Sequence, residues 1–413
     1  MTNSGNVMAC RICNNVNLIK FLSLGQTPLA NSFLEKEDLN KKEDTYPLEV
    51  GFCPNCKLVQ LDYVVPPRMM FTNYLYVSST SDTFKLHFSK MAEELSNMMK
   101  LDGNSLAVDI GSNDGVLLKG FQKFGVRTVG VEPATNIAEI AKKDGIDTIN
   151  DFFNDRVTDQ ILSSKGHADV ITANNVFAHT DAIKRIIYNV KRLLKDDGIF
   201  VIEVAYLVDM LQKMTFDIIY HEHLFYYSLA PLDYLFNQQG MQIFDVQRIP
   251  THGGSLRVFV KKLESSKTVE KSVSEILRKE KEMGIHELGI YENFANRVYK
   301  AKEQLVKLIK DLKNQGKAIA GYGAPAKSTT LLNFCGLGRG FIDYIVDENN
   351  LKQGLYTPGT HIPITPPSML DKRRPDYILI LAWNFAEEIL NKTKKYKDDG
   401  IKFIIPLPEP VTV

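Results

Sequence analysis

The chain has 413 residues, 50 Lys and Arg against 49 Asp and Glu for a net charge of +1, and 44% hydrophobic residues. Such a length exceeds one ordinary core and points to about two to three domains. The near-zero charge gives no electrostatic case for nucleic acid or an anionic membrane, and no run of about 18 apolar residues offers a membrane span. The opening MTNSGNVMACRIC lacks a basic stretch leading into an apolar one, so a cytoplasmic location is expected.

Four of the five cysteines form two knuckles, CRIC (Cys10, Cys13) and CPNC (Cys53, Cys56), with 39 residues between them. Two residues between cysteines let both thiolates reach one ion, and two knuckles complete a four-sulfur tetrahedron suited to zinc. Four protein ligands leave no open position, so the expected Zn2+ is structural. The intervening SLGQTPLANSFL (23–34) is rich in turn formers and predicts a loop. We place this module at 1–66.

From about residue 105 strands and helices alternate. LAVDI (106–110) predicts a strand that runs into GSNDG and then an amphipathic helix ended by Gly125. VRTVGVEP (126–133), ADVITANNVFAH (168–179) and GIFVIEVA (198–205) predict further strands, separated by helical patterns. MQIFDVQRIP and SLRVFVKKL then read as two consecutive strands. The pattern predicts a mostly parallel sheet with an antiparallel edge over 67–263.

Ligands of such sheets bind at the C-terminal ends of the strands. There the chain offers Asp109, Gly111, Asn113, Asp114, Gly115 and Glu132. This is not the dinucleotide GxGxxG. Acids inside the loop would repel a pyrophosphate but suit a cofactor with a cationic amino-acid end. Glu132, 21 residues after Gly111, is placed to accept ribose hydroxyls. VDIGSNDG followed by VGVEP resembles the class I S-adenosylmethionine-dependent methyltransferases.

FDIIYHEHLFYYS (216–228) follows the strand GIFVIEVA and a helical LVDMLQKM. Its HEH is not the HExxH of helical zinc proteases. On an extended segment His221 and His223 would share a side, opposite Tyr220 and Glu222, and could bind a metal only with a third ligand. An acid/base role needs just one His near neutrality, oriented by a neighbour such as Glu222. An ordinary polar turn is the third reading. Asn174, Asn175 and His179 follow a parallel strand, where active-site loops lie. THGGSLRVF supplies His252, two glycines that permit close approach and Arg257. FTNYLYVSSTS (71–81), dense in tyrosine, suits a lid.

Residues 264–315 predict helices leading to a third region, 264–413. KAIAGYGAPAKSTTLLNF reads as strand, glycine turn and helix, and FIDYIVDEN, DYILILAW and KFIIPLPEP as further strands. GYGAPA (321–326) fits GxGxxA, with Asp347 26 residues after Gly321. It predicts a Rossmann-like nucleotide site at Tyr322 and Gly323. Lys327 and Ser328 at the helix start could instead hold phosphates of another ligand.

In order, CxxC…CxxC, VDIGSNDG, YHEHLFYYS, HGGSLR and GYGAPAKS resemble the sugar C-methyltransferases of deoxysugar biosynthesis over essentially the whole chain. The resemblance implies zinc in the first module and S-adenosylmethionine in the second. It also implies a C-terminal domain that helps hold a nucleotide-linked 4-keto sugar, methylated at C3. By motif, His223 would be the base and Tyr220, Glu222 and His179 its partners, with Tyr74 or Tyr76 closing over the cofactor beside Asn174. His252, Arg257, Tyr322, Gly323, Lys327 and Ser328 are the expected substrate contacts. A monomer or small homo-oligomer is expected. O- or N-methylation of a small metabolite, NAD-dependent oxidation at GYGAPA, and zinc-dependent binding without catalysis are the competing readings.

Overall fold

The computed structural model describes residues 5–6, 9–71, 78–80 and 82–413. Tyr74 and Tyr76 lie outside them.

The cysteine module is a four-stranded antiparallel sheet, and only three of its strands come from the module. Ile19–Thr27 pairs with Tyr46–Phe52, which pairs with Val59–Leu61. The fourth strand is Phe225–Tyr226, from the histidine tract, in antiparallel register with Phe225 opposite Gln60. The loop expected over 23–34 is thus partly strand, because Ser23 to Thr27 stay paired with 46–49 through a register shift. Gly25, at φ +84°, takes up the irregularity in a conformation that favours glycine.

Seven strands form the central sheet: β1 (Leu106–Ile110), β2 (Arg127–Val131), β3 (Thr148–Ile149), β4 (Ala168–Asn174), β5 (Leu194–Ala205), β6 (Met241–Ile249) and β7 (Ser255–Lys262). Their order is β3-β2-β1-β4-β5-β7-β6. The first five are parallel, and β7 inserts antiparallel between β5 and β6. Helices cover both faces, so β1 is buried at every residue, as a central parallel strand requires. The helix Ile183–Leu193 shows the sequence logic: Ile183, Ile186, Ile187, Val190 and Leu193 recur at helical spacing and are all buried.

A 27-residue helix, Leu288–Asn314, crosses from the central domain to the third. Its Tyr291 ring sits between Phe21 and Phe52 of the cysteine module, with centroids 5.1 and 4.8 Å away. The third sheet has six strands, centred on Ile319–Tyr322 flanked by Ile345–Val346 and Tyr377–Ile380. The four strands expected there are present. Two very short ones, Ile364–Thr365 and Val411–Thr412, add to them.

The helix that follows the GYGAPA turn, Ala326–Cys335, joins all three regions. Thr329 Oγ1 donates to the Ala30 carbonyl and Thr330 Oγ1 to the Ile219 carbonyl, each at 2.9 Å and buried. Removing a buried donor strands its acceptor at about 1 to 3 kcal/mol. Thr330→Val, close to isosteric, should therefore lower stability to urea by about that amount, with folded secondary structure retained by circular dichroism.

Candidate active site and zinc cluster

Each cysteine knuckle turns through a left-handed residue, Asn14 at φ 60° and Lys57 at φ 66°. Asn14 N donates to the Cys10 carbonyl at 2.8 Å and Lys57 N to the Cys53 carbonyl at 3.0 Å. The four sulfurs lie within 4.8 Å of one another. Cys10 and Cys56 are 3.4 Å apart, and Cys13 and Cys53 3.5 Å. Sulfurs at about 2.3 Å from a tetrahedral zinc stand about 3.8 Å apart, so Cys10, Cys13, Cys53 and Cys56 fit that ion. Among the described residues no other group of three or more His, Cys, Asp or Glu could hold a metal.

At the end of β1 the chain turns through Gly111 (φ +66°), Asn113 (φ +49°) and Gly115 (φ +77°). A Cβ on Gly111 would stand 2.5 Å from Val176 Cγ2, and one on Gly115 2.7 Å from Ile146 Cγ1. Only glycine fits either place. Asp109 Oδ1 accepts from Thr172 Oγ1 at 2.6 Å. Burial, with Glu132 nearby, pushes the Asp109 carboxyl up to about 7. Glu132 ends β2 and binds the turn to it: Oε2 accepts from Asn113 N at 2.9 Å and Oε1 from Ala134 N at 2.8 Å. Its carboxyl is also raised by burial. Ser78 N donates to Asn113 Oδ1 and Ser79 N to Asp114 Oδ2, so the chain returns over this loop as it leaves the 72–77 segment. Asp114 Oδ1 and both side-chain polar atoms of Asn174 are buried without a hydrogen-bond partner among the described residues. That is the condition of groups built to meet a polar ligand.

The histidine tract is not an extended strand. Phe216–Ile218 is a 3-10 turn, and Tyr220 to His223 form a second turn closed by His223 N donating to the Tyr220 carbonyl at 2.9 Å. The turn brings the Tyr220 ring onto His223, centroids 4.1 Å apart, and the His179 ring lies 4.9 Å from His223. His179 also stacks on Phe71 at 5.6 Å. His223 Nδ1 donates to the Ile218 carbonyl at 2.6 Å. A carbonyl only accepts, so Nδ1 carries the proton and Nε2 is the basic nitrogen of the neutral ring. Glu222, buried, accepts from Asn31 Nδ2 at 2.6 Å.

The side-sharing expected of His221 and His223 is overturned, because the turn sends the two rings to different partners. His221 is buried with Nε2 donating to the Pro47 carbonyl at 3.2 Å and Tyr46 edge-on at 5.8 Å. Burial holds its ring down to about 4. It is therefore a neutral packing residue near pH 7, and no metal pair exists here.

Other expected contacts fall elsewhere. Arg257 is buried between β5 and β7, with Nε donating to Glu203 at 2.6 Å and Nη1 to Glu94 at 2.7 Å. Glu203 also meets His87 Nε2 at 2.8 Å. The guanidinium thus answers a buried carboxylate of the fold. His252 enters through its backbone, in the turn Thr251–Gly253. Tyr322 donates to Glu348 at 2.9 Å, and Gly323 takes φ +83° with Ala382 packed where a Cβ would be. Asp347 Oδ2 accepts from Ala324 N at 2.6 Å and Oδ1 from Asn349 N at 2.8 Å, which fixes the loop after the glycine turn. Ser328 Oγ donates to the Pro325 carbonyl at 2.7 Å, closing its own helix start. Lys327 donates to Asn384 and lies 5.4 Å over the Trp383 ring.

Sequence reasoning missed Asn31, Asp217 and Trp383. Trp383 Nε1 donates to the fully buried Asp217 at 2.6 Å, just ahead of the carbonyl that holds His223. The chain's one tryptophan was a signal that could have been weighed; Asn31 carried none.

Cys56→Ser should weaken zinc binding by more than about a hundredfold. Metal analysis after dialysis against a chelator checks this, and the thermal midpoint should fall with the lost metal.

Three family profiles tile the chain: a zinc binding domain over residues 10–71, a methyltransferase domain over 85–246 and a C-methyltransferase C-terminal domain over 250–408. The C-methyltransferase NovU of Streptomyces niveus is 38% identical over 401 residues, 97% of this chain and 96% of that protein. Two solved structures overlap less than half of the chain. Magnesium protoporphyrin IX methyltransferase from Synechocystis, with S-adenosylmethionine bound, is 13% identical over 42% of this chain and 79% of its own, with a TM-score of 0.32. The 1,6-didemethyltoxoflavin-N1-methyltransferase of Burkholderia thailandensis is 19% identical over 42% and 77%, with a TM-score of 0.33. Overlaps of that size add nothing to the assignment. Identity across nearly the full length, with every domain matched in order, means that the chain belongs to the C-methyltransferase family, whose members join a zinc module to an S-adenosylmethionine-dependent domain.

Proposed function

We propose that the protein methylates C3 of a nucleotide-linked 4-keto deoxysugar, with His223 as the base. The observation that carries the reading is the His223 Nδ1 to Ile218 carbonyl bond, which sets the tautomer whose Nε2 can take a proton. S-adenosylmethionine supplies an electrophilic methyl group. The chain's residues supply the rest.

A hydrogen on C3, α to the C4 ketone, is acidic enough for a positioned imidazole to remove. The C3–H electron pair moves into a C3–C4 double bond, the carbonyl pair moves onto O4, and the proton stays on His223 Nε2. The Ile218 carbonyl then faces an imidazolium N–H, which strengthens that bond. The Tyr220 hydroxyl and His179, whose rings lie 4.1 and 4.9 Å from that of His223, are the donors proposed for the enolate oxygen. The C3–C4 pair would then form the C3–CH3 bond as the sulfonium carbon–sulfur bond gives its pair to sulfur, leaving a neutral thioether and restoring the C4 ketone; this needs alignment more than further catalytic groups. Asp109, Asp114 and Asn174 are assigned to the amino-acid end of the cofactor and Glu132 to its ribose. Gly111, Asn113 and Gly115 shape the turn. Lys327 is assigned to the anionic diphosphate of the sugar nucleotide.

With a nucleoside-diphospho-4-keto sugar in deuterated water and no cofactor, the wild type should exchange the C3 hydrogen. His223→Asn should slow exchange and turnover together by about 10²- to 10⁴-fold. An O- or N-methyl product without exchange would sink the reading. A second outcome follows from the Asp109 carboxyl, which burial raises to about 7. The cationic cofactor prefers the ionised form, so its affinity should tighten as pH rises towards 7, up to about tenfold per unit, and level off above. Calorimetry across pH 5.5 to ~8.5 checks this, and Asp109→Asn should flatten the profile.

A further inference from the structure

Asn31 lies in the loop between the first two strands of the zinc module, 191 residues from Glu222 in sequence, yet its amide donates to Glu222 Oε1 at 2.6 Å. The backbone on both sides of Asn31 is held. Ala30 is buried and its carbonyl accepts from Thr329 Oγ1. Leu34 forms an antiparallel bridge with Tyr356, with N–O distances of 3.0 and 2.8 Å. Pro28 is buried against Gly359, where an added Cβ would stand 3.0 Å from the proline ring. The Asn31 side chain therefore starts from backbone held on both sides by the C-terminal region, and its amide sets where one Glu222 oxygen can lie.

Two further contacts run from the same module to the residues around Glu222. The Pro47 carbonyl accepts from His221, and the Leu224 carbonyl accepts from Leu61 N at 2.9 Å. Three residues of the tract, His221, Glu222 and Leu224, are thus held by the zinc module. Of these contacts, the one from Asn31 joins side chain to side chain.

We propose that Asn31 is a positioning residue for methyl transfer, fixing the rotamer of the Glu222 carboxylate next to His223, so that the zinc module completes the active site as well as stabilising the chain; this rests on the reading above of His223 as the base, with Glu222 as the partner expected from its motif. An uncharged amide suits the task, since it donates to the carboxylate and fixes its rotamer without adding a second charge to the site. Aspartate in its place has the same shape but turns an acceptor toward an acceptor.

The test compares wild type, Asn31→Asp, Glu222→Gln and the double variant. Asn31→Asp should keep its zinc and its KM within about twofold, and lose about ten- to a hundredfold in kcat. The thermal midpoint supplies a readout free of substrate. Asn31→Asp should lower it in the wild-type background but not in the Glu222→Gln background, where the new amide can donate to the new carboxylate. The coupling should be about 2 °C or more. An unchanged kcat, a loss confined to KM, or additive shifts in the midpoint would each overturn the proposal. If the wild type methylates an oxygen or nitrogen acceptor and no 4-keto sugar, the substrate reading falls. The kcat of Asn31→Asp on that acceptor, with the stability cycle, still decides the role of Asn31.

Discussion

Two residues of β-structure hold the histidine tract in place. Phe225 and Tyr226 extend the zinc module's sheet at its open edge, and Arg11 lies 5.4 Å over the Phe225 ring. That edge would otherwise present unpaired backbone groups. Upstream, the 216–218 turn is tied to the C-terminal domain through Asp217 to Trp383 and through the neighbouring Ile219 carbonyl to Thr330. Between these two anchored flanks Tyr220 to His223 turn, closed by His223 N donating to the Tyr220 carbonyl. The turn is what brings Tyr220 back over His223.

The same anchoring separates two histidines that look equivalent. His221 points into the zinc module, where burial makes protonation costly and holds it down to about 4. His223 is half-buried and given a carbonyl for Nδ1. One packs against the zinc module and the other sits in a turn with its Nδ1 proton held, and the difference is made by the domain each side chain faces. Burial shapes the cofactor end as well. Asp109 and Glu132 are both raised in a loop where their own backbone neighbours supply the N–H groups that keep Glu132 in position.

Local rules made much of the chain readable. The cysteine knuckles, the β1 loop with Gly111 and Gly115, and the helix with Ile183, Ile187 and Val190 all depend on spacing over a few residues. Other residues read less well because their roles depend on distant partners. Arg257 in HGGSLR suggested a ligand contact, but β5 places Glu203 beside it and the pair is buried. The GYGAPA turn is held by Asp347, which accepts from Ala324 N and Asn349 N and lies outside the motif. Residues 23–27 suggested a loop, but their partner strand lies about twenty residues on, outside any local window.

The sequence by itself determined the metal ligands, the alternating architecture of the central domain and the order of motifs that marks the family, because each is written in residue types at short, regular intervals. The tertiary structure decided how FDIIYHEHLFYYS is used. Extended, the tract would have paired His221 with His223 and Tyr220 with Glu222. The turn pairs Tyr220 with His223, sends His221 to Pro47 and gives Glu222 to Asn31. No local propensity specifies that choice. It follows from three domains closing on one short segment, each satisfying a buried hydrogen-bonding group that the others leave open.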